Sequence, residues 1–137
     1  MAAPERYEQL IAFLSSQLPP PVDERAGTDG SLFFTGGDPP EVVAELTATS
    51  VIVSEFAGVW EQPFKLAPRP RRVGMVNWKR LPETQLLNVI SQLIRGATQT
   101  RRARYRTCQL CEALHPPEWM YNERLCHQCA EREWGVN

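Results

Sequence analysis

Two pairs of cysteines stand near the end of the chain: Cys108-Gln-Leu-Cys111 and, after a gap of fourteen residues, Cys126-His-Gln-Cys129. They are all 4 of the cysteines among 137 residues. A CxxC segment makes a tight turn that aims two thiolates at one point. Two such turns complete the tetrahedron that Zn2+ accepts, with Zn–S bonds of about 2.3 Å. The spacing fits the C-x2-C…C-x2-C pattern of zinc sites. Two disulfides would suit an oxidising compartment instead. The opening segment MAAPERYEQL has no basic region followed by an apolar one, so the expectation is a cytoplasmic protein with reduced thiols and a bound metal. Four thiolates on one Zn2+ leave no position for water or substrate, which assigns Cys108, Cys111, Cys126 and Cys129 to a structural ion. A segment of about thirty residues buries little core of its own, and zinc, with an apparent ~10–16 kcal/mol in finger peptides, is what folds it.

The layout resembles the treble-clef group of zinc fingers, over residues 108–137 and at superfamily level only. In that group the first CxxC sits in a knuckle, a hairpin follows, and the second CxxC opens a helix. The resemblance implies a helix over Cys126 to Trp134 and a hairpin within ALHPPEWMYNER. A zinc ribbon, in which hairpins carry both pairs, is the other expectation, and neither fold fixes a function. Some treble clefs are HNH-type nucleases, which need a histidine base on the hairpin, an asparagine and a further metal-binding histidine. This chain offers only His115, followed by two prolines, and His127, inside the second CxxC. Both are expected to be polar surface or hydrogen-bond partners of the site. A redox CxxC normally starts a helix in a thioredoxin-like frame, which the pattern here lacks.

The net charge of -1 conceals an asymmetry. Residues 1–61 balance to −8, residues 62–106 to +10 and residues 107–137 to −3. Arginine outnumbers lysine nine to two in the basic segment, which favours planar, bidentate contacts to phosphate or carboxylate. Arg71, Arg72, Arg95, Arg101, Arg102, Arg104 and Arg106 are the candidate contact residues. Trp78 and Tyr105 lie among them and offer rings for base stacking. The competing expectation is that the acidic segment neutralises these arginines within the fold.

The elements that must position these groups are read from periodicity. Pro4 to Gln17 predicts a helix, with Tyr7, Leu10, Ile11 and Leu14 on one face, stopped by Pro19-Pro20-Pro21. A polar loop runs to Gly30. Ser31 to Thr35 predicts a strand, and Gly36-Gly37-Asp38-Pro39-Pro40 a turn. Val51 to Phe56 predicts another strand. For residues 41–48 the alternation of Val42, Ala44, Leu46 and Ala48 predicts a strand, while Asp38, Pro39 and Glu41 also read as a helix start. Trp60 to Pro70 is expected to be irregular, and Arg71 to Trp78 a fourth strand. Pro82 opens a long helix to about Arg104, with Leu86, Val89, Ile90, Leu93, Ile94 and Ala97 as its apolar stripe. Trp60, Trp78, Trp119 and Trp134 are expected to pack in the core, over the zinc site or between domains, with an exposed binding anchor as the alternative for Trp119 and Trp134.

The predicted fold class is α+β: an N-terminal helix, a small mostly antiparallel sheet of three to four strands, a long second helix starting near 82, and a C-terminal C4 zinc finger. The domains expected are a body over 1–100, and the basic helix end with the finger over 101–137. No apolar run approaches the roughly eighteen residues of a membrane helix. No Ser-His-Asp set or phosphate-cradling glycine motif is present, so no catalytic residue and no small-molecule substrate are assigned. The leading expectation is a non-enzymatic zinc-finger protein that binds nucleic acid or a nucleoprotein complex through its arginines. The alternative is a protein-binding adaptor, inhibitor or immunity-type protein, stapled by zinc.

Overall fold

The computed structural model describes residues 3–62 and 65–135. Helix α1 (Ala3–Gln17) leads into strands β1 (Val22–Ala26), β2 (Leu32–Gly36), β3 (Val42–Leu46) and β4 (Ser50–Glu55). A hairpin of β5 (Gly58–Gln62) and β6 (Lys65–Pro68) follows, then β7 (Arg71–Asn77) and helix α2 (Glu83–Ala103). The C-terminal part holds β8 (Arg106–Thr107), β9 (Leu114–His115), a 3-10 turn at Pro117–Trp119 and helix α3 (His127–Trp134).

Five strands form one antiparallel sheet in the order β1-β2-β3-β4-β7. Period-two alternation sends Phe34, Val42, Ala44, Leu46, Val51, Val53 and Val76 into the core with Leu10 and Leu14 of α1 and Leu86, Ile90, Ile94 and Ala97 of α2. The α2 stripe is the expected one, and its next position down the helix is Arg101, also buried. Trp78 is 3% exposed and donates its indole N–H to the Thr47 carbonyl at 2.9 Å.

Within residues 41–48 the chain forms strand over Val42–Leu46, because sheet alternation outweighs the helix-start signal at Asp38-Pro39-Glu41. The turn before them needs its glycines. Gly37 has φ +101, and a Cβ on Gly36 would sit 2.7 Å from the Pro19 carbonyl oxygen. Two expectations are corrected. The polar segment after Pro21 is not all loop: Val22–Ala26 adds a fifth strand, an edge so exposed that only Val22 is half-buried and no alternation marks it. The stretch Trp60 to Pro70 is not irregular either, since β5 and β6 pair from Gly58↔Pro68 to Gln62↔Lys65. Pro68 ends β6 and Pro70 lies beyond it, where no ladder bond is lost; Pro63 lies outside the described residues.

Candidate metal centre and its junction with the body

The first CxxC lies in a knuckle between β8 and β9. Cys108 N–H donates to the Ala113 carbonyl at 3.0 Å and Glu112 N–H to the Cys108 carbonyl at 2.9 Å. Glu112 takes φ 62 to close the turn, a left-handed conformation on a residue with a Cβ. The second CxxC opens α3: Cys126 is its N-cap, and its Sγ accepts the Cys129 N–H. Gly135, at φ 64, caps the far end by donating to the Glu131 carbonyl at 2.8 Å. The Met120↔Cys126 bridge ties the 3-10 turn to the start of α3.

These turns bring four sulfurs together within 4.8 Å of one another. A regular tetrahedron with bonds of about 2.3 Å has sulfur–sulfur edges of about 3.8 Å, so the cluster fits Zn2+ with little contraction. Cys108, Cys126 and Cys129 are buried, and Cys111 is exposed. Burial opposes ionisation of Cys108, but backbone N–H groups from Cys111, Cys126 and Leu110 outweigh it and lower this thiol to about 5. Burial and the neighbouring thiols push Cys126 up to about 11. Four adjacent thiolates are thus mutually unfavourable until a cation joins them. Zn2+ with four thiolates would still carry a net negative charge, and two side chains lie where they could address it. Arg132 Nη2 lies 3.3 Å from Cys129 Sγ, and His115 Nε2 lies 3.5 Å from Cys111 Sγ. Such outer contacts orient ligands and spread their charge.

The junction is built by arginines. Arg101 is 1% exposed. Its Nη1 and Nη2 donate to the two carboxylate oxygens of Glu118 at 2.9 and 2.5 Å, and its Nε donates to the Pro40 carbonyl at 3.2 Å. Its guanidinium also lies 5.2 Å from the Phe56 ring centre and 5.3 Å from that of Tyr105. Arg102 pairs with Glu41, while Arg104 and Arg71 share Glu55. Hydrogen bonding to Arg104 and Arg71 outweighs the burial of Glu55 and holds its carboxyl below the usual range. Arg72, Arg95 and Arg106 are exposed and, among the described residues, without an ion pair. The seven arginines therefore do not converge on one face. Trp78 is core, and Tyr105 lies half-buried under Arg101, so the two rings do not form a stacking platform.

A different aromatic group does form. Trp60 of β5 donates its indole N–H to the Glu118 carbonyl at 2.8 Å. Its ring lies edge-on to Trp119 at 5.3 Å and to His127 at 6.4 Å, and His127 meets Tyr121 at 6.1 Å. Trp60, Trp119 and Tyr121 are 37%, 41% and 42% exposed. Glu55 and Glu118 were not singled out from sequence, and Glu41 was read only as part of a helix start; the signal for all three was the acidic balance that offsets the arginines. The side chain of Trp134 lies outside the described part of the structure.

A hollow of about 620 Å3 on the body is lined by Tyr7, Asp29, Ser31, Thr47, Trp78 and Lys79 among others. The Ser31 hydroxyl donates to Asp29 at 2.6 Å and keeps that carboxyl below its ordinary range, the wrong direction for a general acid at neutral pH. Among the described residues, no helix is long and apolar enough to cross a membrane. Comparison with protein-family models, curated proteins and solved structures finds no match to this chain.

Proposed function

We propose that the chain is a non-enzymatic, zinc-stapled protein-binding module whose contact surface is the aromatic group at the junction of finger and body. The fate of the arginines carries this reading. Four of the seven candidate contact residues are engaged by the buried carboxylates of Glu118, Glu41 and Glu55, and a phosphate would have to compete with those partners. The partly exposed tryptophans and tyrosine beside them are the residue types that anchor protein interfaces. A four-thiolate site with no open position suits a staple. The helix that opens at the second CxxC, with a knuckle at the first, supports a treble clef over a zinc ribbon. Reduced cysteines favour a reducing compartment such as the cytoplasm.

Nucleic acid is the second reading, favoured by the exposed and unpaired Arg72, Arg95 and Arg106. Three phosphate contacts would give a log–log salt slope of roughly −3 on duplex. The deciding experiment is affinity capture from native lysate, with and without nuclease. The wild type is compared with Trp119→Ala and with the triple variant Arg72→Glu/Arg95→Glu/Arg106→Glu. Nuclease-resistant partners lost only with Trp119→Ala support the protein-binding reading. Partners lost on nuclease treatment and with the triple variant overturn it.

A further inference from the structure

Arg101 belongs to the body by its helix and to the finger by its contacts. It continues the apolar stripe of α2 one turn past Ala97, at a position where burial demands a partner for the charge. The partner, Glu118, lies in the 3-10 turn Pro117–Trp119, between the two CxxC pairs. The next residues connect that turn to the sulfurs. Met120 donates its N–H to the Pro117 carbonyl at 3.2 Å, bridges Cys126, and packs on the cluster of Cys108, Leu125, Cys126, Cys129 and Ala130. A second route runs beside it: Trp60 holds the Glu118 carbonyl and lies against Trp119 and against His127, which follows Cys126.

We propose that Arg101 is a positioning residue for the metal centre, acting through Glu118, so that body and finger bind the metal as one unit. The guanidinium fork sets the place of Glu118, Glu118 sets the 3-10 turn, and the turn sets Met120 against Cys126. Linkage makes the relation reciprocal. If docking of Glu118 on Arg101 tightens metal binding, metal binding tightens docking by the same factor. Zinc loss would then leave a buried guanidinium without its carboxylate, and the finger would release from Arg101 and Trp60. Zinc supply would thus govern whether the aromatic surface is assembled.

The test is the zinc affinity of the full-length chain by competition with a chromophoric chelator. Outer contacts of metal ligands are typically worth about 10–100-fold in affinity. Glu118→Ala and Arg101→Ala are each expected to weaken zinc by at least about tenfold, although neither residue touches a sulfur. The double variant Arg101→Met/Glu118→Leu, which removes both charges and keeps apolar bulk, is expected to recover the urea stability lost in the single variants but not the zinc affinity, because apolar contact does not fix orientation. Leu14→Ala destabilises the body far from the junction and is expected to leave zinc affinity within about twofold of wild type. Hydrogen exchange supplies a readout that does not depend on the variants folding: stripping zinc from the wild type is expected to speed exchange in β5 and the last turn of α2, but not in β3. Zinc affinities within twofold of wild type for both single alanine variants overturn the proposal. So does unchanged exchange in β5 and α2 after stripping, or an equal zinc defect in Leu14→Ala.

Discussion

On the proposed zinc site, metal removal should separate what zinc folds from what folds alone. The three α-helices among the described residues hold 15, 21 and 8 residues, so melting α3 removes roughly a fifth of the helical signal. Helix α3 has no means of surviving stripping, because isolated helices shorter than ~12–15 residues are marginal in water. Withdrawn with the metal is an apparent binding free energy of ~10–16 kcal/mol, measured in finger peptides at neutral pH. The body is different. Its core cluster runs from Leu10 to Ala97 and contains no residue of the finger. The assay is far-UV circular dichroism with tryptophan fluorescence, on reduced protein before and after a strong chelator. The expected result is a fractional loss of helix near one fifth, reversed by one equivalent of zinc. Trp60 and Trp119 redden as their edge-on contact opens, and Trp78 stays dark to quenchers in the core. Helical signal unchanged by stripping, with thiols confirmed reduced, would falsify the assignment of α3 to the metal. Complete unfolding on stripping would refute the independence of the body.

Three further outcomes are expected. The carboxyl of Glu55 is held below its ordinary value of 4.5 in the folded state, so its contribution to stability is present above that pH and is lost as pH falls through the folded value. Urea midpoints of wild type and Glu55→Gln should differ at pH 7 and converge under acid; a constant difference across the range refutes the pairing with Arg71 and Arg104. Glu112→Gly relieves a left-handed residue at the knuckle and should stabilise the zinc-loaded protein by about 0.5–1 kcal/mol in a thermal melt. Gly36→Ala forces a methyl against the Pro19 carbonyl and should destabilise by about 1–3 kcal/mol in urea, with no change in zinc affinity.

The cluster of four cysteines was legible in sequence because a CxxC pair is local geometry: two intervening residues set the direction of both thiols. The helices were legible because their stripes are long, and the α2 stripe repeats over six apolar positions. What sequence concealed was set by distance along the chain. Strand β1 carries Asp23, Glu24 and Arg25, all exposed, and gains its conformation from pairing with β2. The β5–β6 hairpin is masked by prolines that sit at its ends. The arginines were counted correctly, but charge asymmetry cannot say whether −8 and +10 meet inside one molecule or await a partner. Arg101 had a signal in plain view, because it lies four residues after Ala97 on the apolar face, where a solvated charge does not belong.

Why that position holds an ion pair is a physical question with a physical answer. An apolar pair of equal volume would give similar or greater stability, since burying two charges costs several kcal/mol before they attract. Apolar contact, however, lets two surfaces slide. A guanidinium fork on a carboxylate fixes both distance and orientation. Here the fork also sits over Phe56 and Tyr105 with its Nε on the Pro40 carbonyl, so the guanidinium is held from the finger by Glu118 and from the body by Pro40. A finger that buries little core against its body cannot rely on packing for its angle of approach. The pair supplies that angle, and with it the register in which Met120 meets Cys126.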